Sequence, residues 1–198
     1  MTIVVGVRVD DTIVLGSDSQ AHMGAQKVPQ NKLVSTTSGE LIVGVAGLAI
    51  YNNLLLKYMN SVEHKVPVSK GEVVDWVFEF YDFCKRVYGL QKSYEDEMYR
   101  FGDVVCGMVI GTRGGLFHAG RSFDITEYPD YIAEGSGADY ATGAGYILSK
   151  QKRRMNRQGV ISAEATALYK AEHMVQAACH HSIECGMPVN TLSLEVSV

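Results

Sequence analysis

The hydrophobic period of this chain switches repeatedly between that of strands and that of helices, and the order of the switches limits the folds it can adopt. Residues 3–9 (IVVGVRV) and 12–17 (TIVLGS) are β-rich runs around the turn residues Asp10-Asp11. Residues 33–37 and 40–45 repeat the pattern around Ser38-Gly39. Helical spacing follows at 48–62 and 71–90, where Val73, Val77, Phe80 and Cys84 form one stripe. Strands return at 104–111 and 115–119. After Gly135-Ser136-Gly137 the spacing predicts helices over 138–153 and 162–184, then a last strand over 189–197. The second of these helices has Ser162 as its N-cap and Ala165, Leu168, Ala171, Val175 and Ala178 along one face. Strands, two helices, strands, two helices and a strand predict an α+β fold in which two sheets are sandwiched between helix layers. No repeat, low-complexity tract or linker divides residues 1–198, which read as one domain.

With 198 residues, 46% of them hydrophobic, the chain can bury one well-formed core. A formal net charge of −4 argues against nucleic acid, whose binding needs a basic face. The basic run Lys150-Gln-Lys152-Arg153-Arg154 reads as a solvated helix end. Cys84, Cys106, Cys179 and Cys185 show no CxxC pairing, and the first two fall where cysteine acts as a small hydrophobe. The opening residues lack the character of a signal peptide, and no stretch is apolar enough to span a bilayer. A reducing cytoplasm is the expected location.

The first hairpin brings chemistry together. A turn at Asp10-Asp11 pairs positions whose numbers sum to 21, so Ile3 faces Asp18 and Thr2 comes close to that carboxylate at the open end. A threonine hydroxyl is a poor nucleophile without a base beside it. A free α-amine titrates near 7.7–8.0, so a chain-terminal threonine carries its own base. Methionine is normally removed when the next residue is small, and Thr2 follows Met1. A lysine near that amine lowers its pKa by like-charge repulsion, and an aspartate holds the lysine charged and oriented.

Read in order, the segments resemble the proteasome β-subunit family, including its HslV-like bacterial branch. Thr2-Ile-Val-Val-Gly-Val-Arg and Val14-Leu-Gly-Ser-Asp18-Ser-Gln resemble the family's opening hairpin. Asn31-Lys32-Leu-Val and Leu41-Ile-Val-Gly44-Val-Ala-Gly47 resemble its lysine strand and following glycine turn, and Tyr131-Ile-Ala-Glu-Gly135-Ser136-Gly137 its GSG segment. The resemblance implies an α-β-β-α sandwich of the N-terminal-nucleophile hydrolase type and threonine peptidase activity on unfolded protein or peptide. By it, Thr2 supplies hydroxyl and amine once Met1 is gone, and Lys32 tunes the proton transfer. Asp18 orients Lys32, the Gly44 N–H receives the oxyanion, and Ser136 steadies the amine or a water. Lys27, in the loop before Pro29, is the competing and exposed lysine. Ala21, Gln30, Val34, Ile42 and Ala46 are implied to line an apolar pocket for the substrate side chain.

The resemblance further implies identical subunits in a double ring around an enclosed chamber, fed by an ATP-driven unfoldase or by unfolded substrate. The chain has no GxxxxGK[ST] of its own. No cofactor is required, although a cation held by backbone carbonyls near the end of the last helix fits the family. Where the family usually carries an aspartate behind the GSG serine, counting from the last strand puts His181, which adds no fixed negative charge. Adjacent His180 and His181 point about 100° apart on a helix and lack the i,i+4 face of a zinc site, so no metal is assigned. Residues 89–103 and 120–130 look longer than in the HslV-like branch. They read as pore-lining or partner loops, or as tolerated surface loops. The residues leave open a non-catalytic ring subunit that keeps Met1, a small-molecule amidase, and a scaffold ring.

Overall fold

The turn at Asp10 takes φ 50, a left-handed conformation that aspartate tolerates, and the strands on either side pair as their numbering requires, with Val9 opposite Thr12 and Val4 opposite Ser17. The structure is a computed structural model that describes residues 2–23, 26–61, 65–88, 106–121, 123–150, 155–156, 159–182 and 185–195. The first half holds β1 (Ile3–Val9), β2 (Thr12–Asp18), β3 (Gln20–Met23), β4 (Gln26–Pro29), β5 (Leu33–Ser35), β6 (Leu41–Gly47), α1 (Ala49–Ser61) and α2 (Lys70–Tyr88). The second holds β7 (Cys106–Thr112), β8 (Gly115–Ala119), β9 (Ile125–Tyr128), β10 (Tyr131–Gly135), α3 (Ala138–Ser149), β11 (Met155–Asn156), β12 (Gly159–Val160), α4 (Ala163–His181) and β13 (Val189–Glu195).

Two antiparallel sheets carry the fold, one ordered β10-β1-β2-β13 and the other β5-β6-β7-β8-β9. Alternate side chains leave opposite faces of a strand, and here both faces are apolar. Ile3, Val5 and Val7 point outward to Ala171, Val175 and Ala178 of α4, whereas Val4, Ile13 and Leu15 point inward to Leu33, Ile42, Val109 and Leu116 of the second sheet. The outer face of that sheet, through Val43, Met108 and Ile110, packs on α1 and on Val73, Val77, Phe80 and Cys84 of α2. The result is the four-layer α-β-β-α sandwich expected of an α+β chain.

The inner layer is tight because glycines make room in it. A Cβ on Gly44 would collide with a Val4 methyl, and one on Gly107 would lie 2.6 Å from the Glu134 carboxyl carbon. The two sheets therefore interlock side chain into hollow rather than side chain against side chain.

Several boundaries differ from the sequence reading. Lys27 lies not in a loop but on β4, opposite His22 in a hairpin with β3 that the sequence does not announce. Strands β9 and β10, and the small β11–β12 hairpin, also go unpredicted; β10 is an edge strand with only Ala133 fully buried, so it lacks a clear apolar alternation. Helix α4 stops at His181, where the Ser182 N–H bonds Ala178 O at 2.8 Å. Its buried residues are Thr166, Ala167, Ala171, Met174, Val175 and Ala178, with Leu168 packed beside them; of the predicted stripe only Ala165 is exposed. Ser162 caps the helix as expected, accepting from Ala165 N at 3.1 Å. The 89–103 segment and most of the 150–154 basic run lie outside the described residues. Among the described residues no helix is long and apolar enough to cross a membrane.

Candidate active site

Residue Asp18 ends β2 with its side chain fully buried, and every lone pair of its carboxylate is directed at a donor from a different part of the chain. Its Oδ1 accepts from Lys32 Nζ at 2.6 Å and from Ile3 N at 2.9 Å. Its Oδ2 accepts from Gln20 N and Gly186 N, each at 3.1 Å. A buried carboxylate is tolerated only when it is paired and hydrogen-bonded, and here both conditions hold. The Ile3 amide is the one that follows Thr2, so the carboxylate grips the first strand at its first peptide.

Lys32 is 2% exposed and also donates to Gln20 O at 2.5 Å. Burial pushes its ammonium pKa below the usual 10.5, and the attraction of Asp18 opposes that shift without cancelling it. Of the two lysines the sequence leaves open, Lys32 is therefore the one in the cluster; Lys27 is exposed.

Thr2, 6% exposed, is held from the other side by Ser136. The Thr2 nitrogen donates to Ser136 Oγ at 3.3 Å, and Ser136 Oγ donates back to Thr2 O at 3.4 Å. The intervening Gly135 has φ 115 and lies so close to Thr2 O that a Cβ would clash with it. Ala46 borders the same corner, its methyl 3.4 Å from that hypothetical Cβ.

The expected oxyanion donor needs correction. Val45 gives its N–H to Lys32 O at 3.2 Å, so alternate amides of β6 point toward β5 and toward β7. The Gly44 amide falls on the β7 side, opposite Val109 within the ladder, and its missing side chain serves instead to admit Val4. Gly47, three residues on, ends β6 with φ 148 and is exposed. By the alternation along β6 its N–H has the direction of Val45's, beyond the start of β5 at Leu33, where among the described residues no strand pairs with that N–H. The sequence carried the signal in Gly47 itself, the last glycine of its GVAG run, directly before helix α1.

The residue behind Ser136 also differs from expectation. His181 turns its exposed ring onto Tyr140, with centroids 5.4 Å apart, because α4 ends there. The chain then returns to the site, and the buried thiol of Cys185 reaches Ser136 and packs on Gly137. Burial raises the pKa of that thiol, with Asp18 adding to the effect. The expected pocket lining divides. Ala46 borders Gly135 at the Thr2 corner, Gln30 gives its N–H to Ser19 O next to Asp18, and Ala21 lies on β3 three residues after Asp18, but Val34 packs in the layer under α1 and α2, and Ile42 is fully buried between the sheets beside Ile13 and Gly111. Neighbours on opposite faces of a sheet cannot line one pocket.

Among the described residues no group of three His, Cys, Asp or Glu side chains is placed to hold a metal ion, and the expected cation position adjoins residues 183–184, outside the described set.

The arrangement defines a class: two sheets between helix pairs, with a buried charge network built around the first residue of the first strand. A family model described as proteasome subunit matches residues 2–180, and the chain belongs to that family. Solved structures share its fold. BPH of Thiobacillus denitrificans, solved in complex with epoxomicin, is 22% identical over 99% of this chain and 100% of that one, with a TM-score of 0.78. HslV of Trypanosoma brucei is 16% identical over 98% and 99% of the two chains, with a TM-score of 0.63. Anbu of Yersinia bercovieri is 16% identical over 98% of this chain and 81% of its own, with a TM-score of 0.65.

Proposed function

We propose that this chain is a threonine endopeptidase whose nucleophile is Thr2 after removal of Met1. The observation that carries the reading is the Asp18–Lys32 pair, buried against the first peptide of β1 while Ser136 holds the Thr2 nitrogen from the opposite side. Until Met1 leaves, that nitrogen is an amide and cannot accept a proton; afterwards it is an amine placed beside the hydroxyl of its own residue. The positive charge of Lys32 lowers the amine's pKa toward working pH, and Asp18 keeps that charge in place.

In the reaction, Thr2 Oγ attacks the substrate carbonyl and passes its proton to the Thr2 amine. The carbonyl oxygen becomes an oxyanion facing the Gly47 N–H, and loss of such a donor typically raises a barrier by ~2.7–4 kcal/mol. The intermediate collapses, the leaving amine takes the proton, and an ester remains on Thr2. Water, deprotonated by the same amine, attacks the ester and releases the acid. Ser136 holds the amine, and Cys185 supports Ser136 where the sequence puts His181. Ala21, Gln30 and Ala46 border the substrate side chain.

Membership of the proteasome subunit family supports a ring of identical subunits, and we extend this to a double ring that encloses the sites and takes unfolded protein, delivered by an ATP-driven unfoldase. Four free cysteines agree with a reducing compartment such as the cytoplasm.

The test is intact-mass spectrometry with and without epoxomicin, a peptide epoxyketone, combined with cleavage of unfolded casein. The expected result is a protein lacking Met1 that gains one inhibitor mass on Thr2, with Thr2→Ala losing both the adduct and the cleavage. A wild-type protein that keeps Met1, forms no adduct and leaves casein intact would instead be a silent ring subunit.

A further inference from the structure

Apolar side chains build the layer between the sheets, and a hydrogen-bonded polar pair crosses its edge. His118 Nε2, from β8, lies 2.9 Å from Glu134 Oε2, from β10, with side chains 14% and 21% exposed. Glu134 stands beside Val4 in the ladder between β1 and β10, and the two side chains reach across together, Val4 over Gly44 and Glu134 over Gly107. Gly107 in turn pairs with Ala46, the residue before Gly47. His118 is fixed from its own sheet: it pairs with Val109 and Thr126, and its ring meets that of Tyr128 edge-on at 6.4 Å.

The consequence lies two residues along the chain. Ser136 is exposed apart from the Cys185 thiol that meets it, so its position relative to Thr2 depends on where β10 ends. That strand is the edge of its sheet and has a ladder on one side only. Its last turn nevertheless has to meet Thr2 twice, through the nitrogen and through the carbonyl. Beside the β1 ladder and the contact of Cys185 with Ser136, the hydrogen bond between His118 and Glu134 ties the end of β10 to the opposite sheet.

We propose that His118 and Glu134 are positioning residues: they pin the end of β10 to the second sheet and so set where Ser136 meets Thr2. The proposal rests on the reading of Thr2 as nucleophile. Neither residue touches the reacting atoms, so their loss affects the rate of attack more than the binding of inhibitor.

The experiment compares wild type, His118→Phe, Glu134→Ala and His118→Gln. The first two variants remove the bond; the third keeps a donor at the same reach. With epoxomicin, the maximal rate of adduct formation is expected to fall about tenfold in H118F and E134A, since small misplacements of reacting groups carry large rate penalties. The half-saturating concentration should stay within about twofold of wild type, and H118Q should recover most of the rate. Hydrogen exchange of peptides covering 131–137 is expected to quicken in H118F and to return toward wild type in H118Q. Wild-type labelling with unchanged exchange in H118F would overturn the proposal, as would equal losses in H118F and H118Q, which would mean lost packing rather than a lost bond. If the wild type itself forms no adduct, the peptidase reading fails, and the exchange comparison alone still decides whether the pin exists. Should H118F not fold, Glu134→Ala decides alone, and an unaltered rate and exchange in it would count against the proposal in the same way.

Discussion

At the scale of single residues the site is governed by competition between burial and charge. Lys32 loses solvent on every side, and Asp18 returns only part of what that costs, so the lysine releases its proton at a lower pH than an exposed one. In the proposed mechanism, the charge that depresses the Thr2 amine is present below that pH and disappears above it. Epoxomicin labelling measured against pH is therefore expected to show a descending alkaline limb that begins below 10.5. Asp18→Asn removes the group that raises the lysine's pKa and should move the limb to still lower pH. An unmoved limb would mean that another group sets it. The cysteines give a simpler case. Burial pushes Cys84, Cys106 and Cys179 up to about 12, and Cys185 in the same direction. Almost no thiolate exists at pH 8, so iodoacetamide should leave all four unmodified in the native protein and alkylate all four in denaturant, as read by intact mass.

At the scale of elements, the link between β10 and α3 is the most exacting. Gly135→Ala places a methyl against Thr2 O at φ 115, a conformation that by itself costs on the order of 1–3 kcal/mol in a non-glycine residue. Urea unfolding is expected to show a loss of at least that size, together with slower labelling of Thr2. Much of this architecture was legible beforehand. The β1–β2 register followed from Asp10-Asp11, the α2 stripe from its period, the α4 cap from Ser162, and Asp18, Lys32 and Ser136 from their segments. The remainder depended on information that local pattern does not hold. Strand β10 is half-buried and takes its shape from β1, so its own residues show little period. Gly44 and Gly47 look alike in a sequence, and only the alternation of amides along β6 separates the one inside the ladder from the one at its end. His181 and Cys185 exchanged places because the last turn of α4 ends earlier than its composition implies.

At the scale of the whole molecule, a 21.7 kDa chain proposed to work in a ring should not travel alone. Mass photometry of the purified protein at micromolar concentration is expected to give a multiple of that mass, and a species at the monomer mass would remove the enclosed chamber from the proposed function. The interlocked sheets have an outcome of another kind. Val4 occupies the space that Gly44 leaves, and Glu134 the space that Gly107 leaves, so neither member of a pair can grow while the other keeps its size. Such positions are free to vary only as couples. Across the lineage of this chain a bulkier residue at 44 should arrive together with a smaller one at 4, and likewise for 107 and 134, so that the spacing of the two sheets is inherited as correlated substitution.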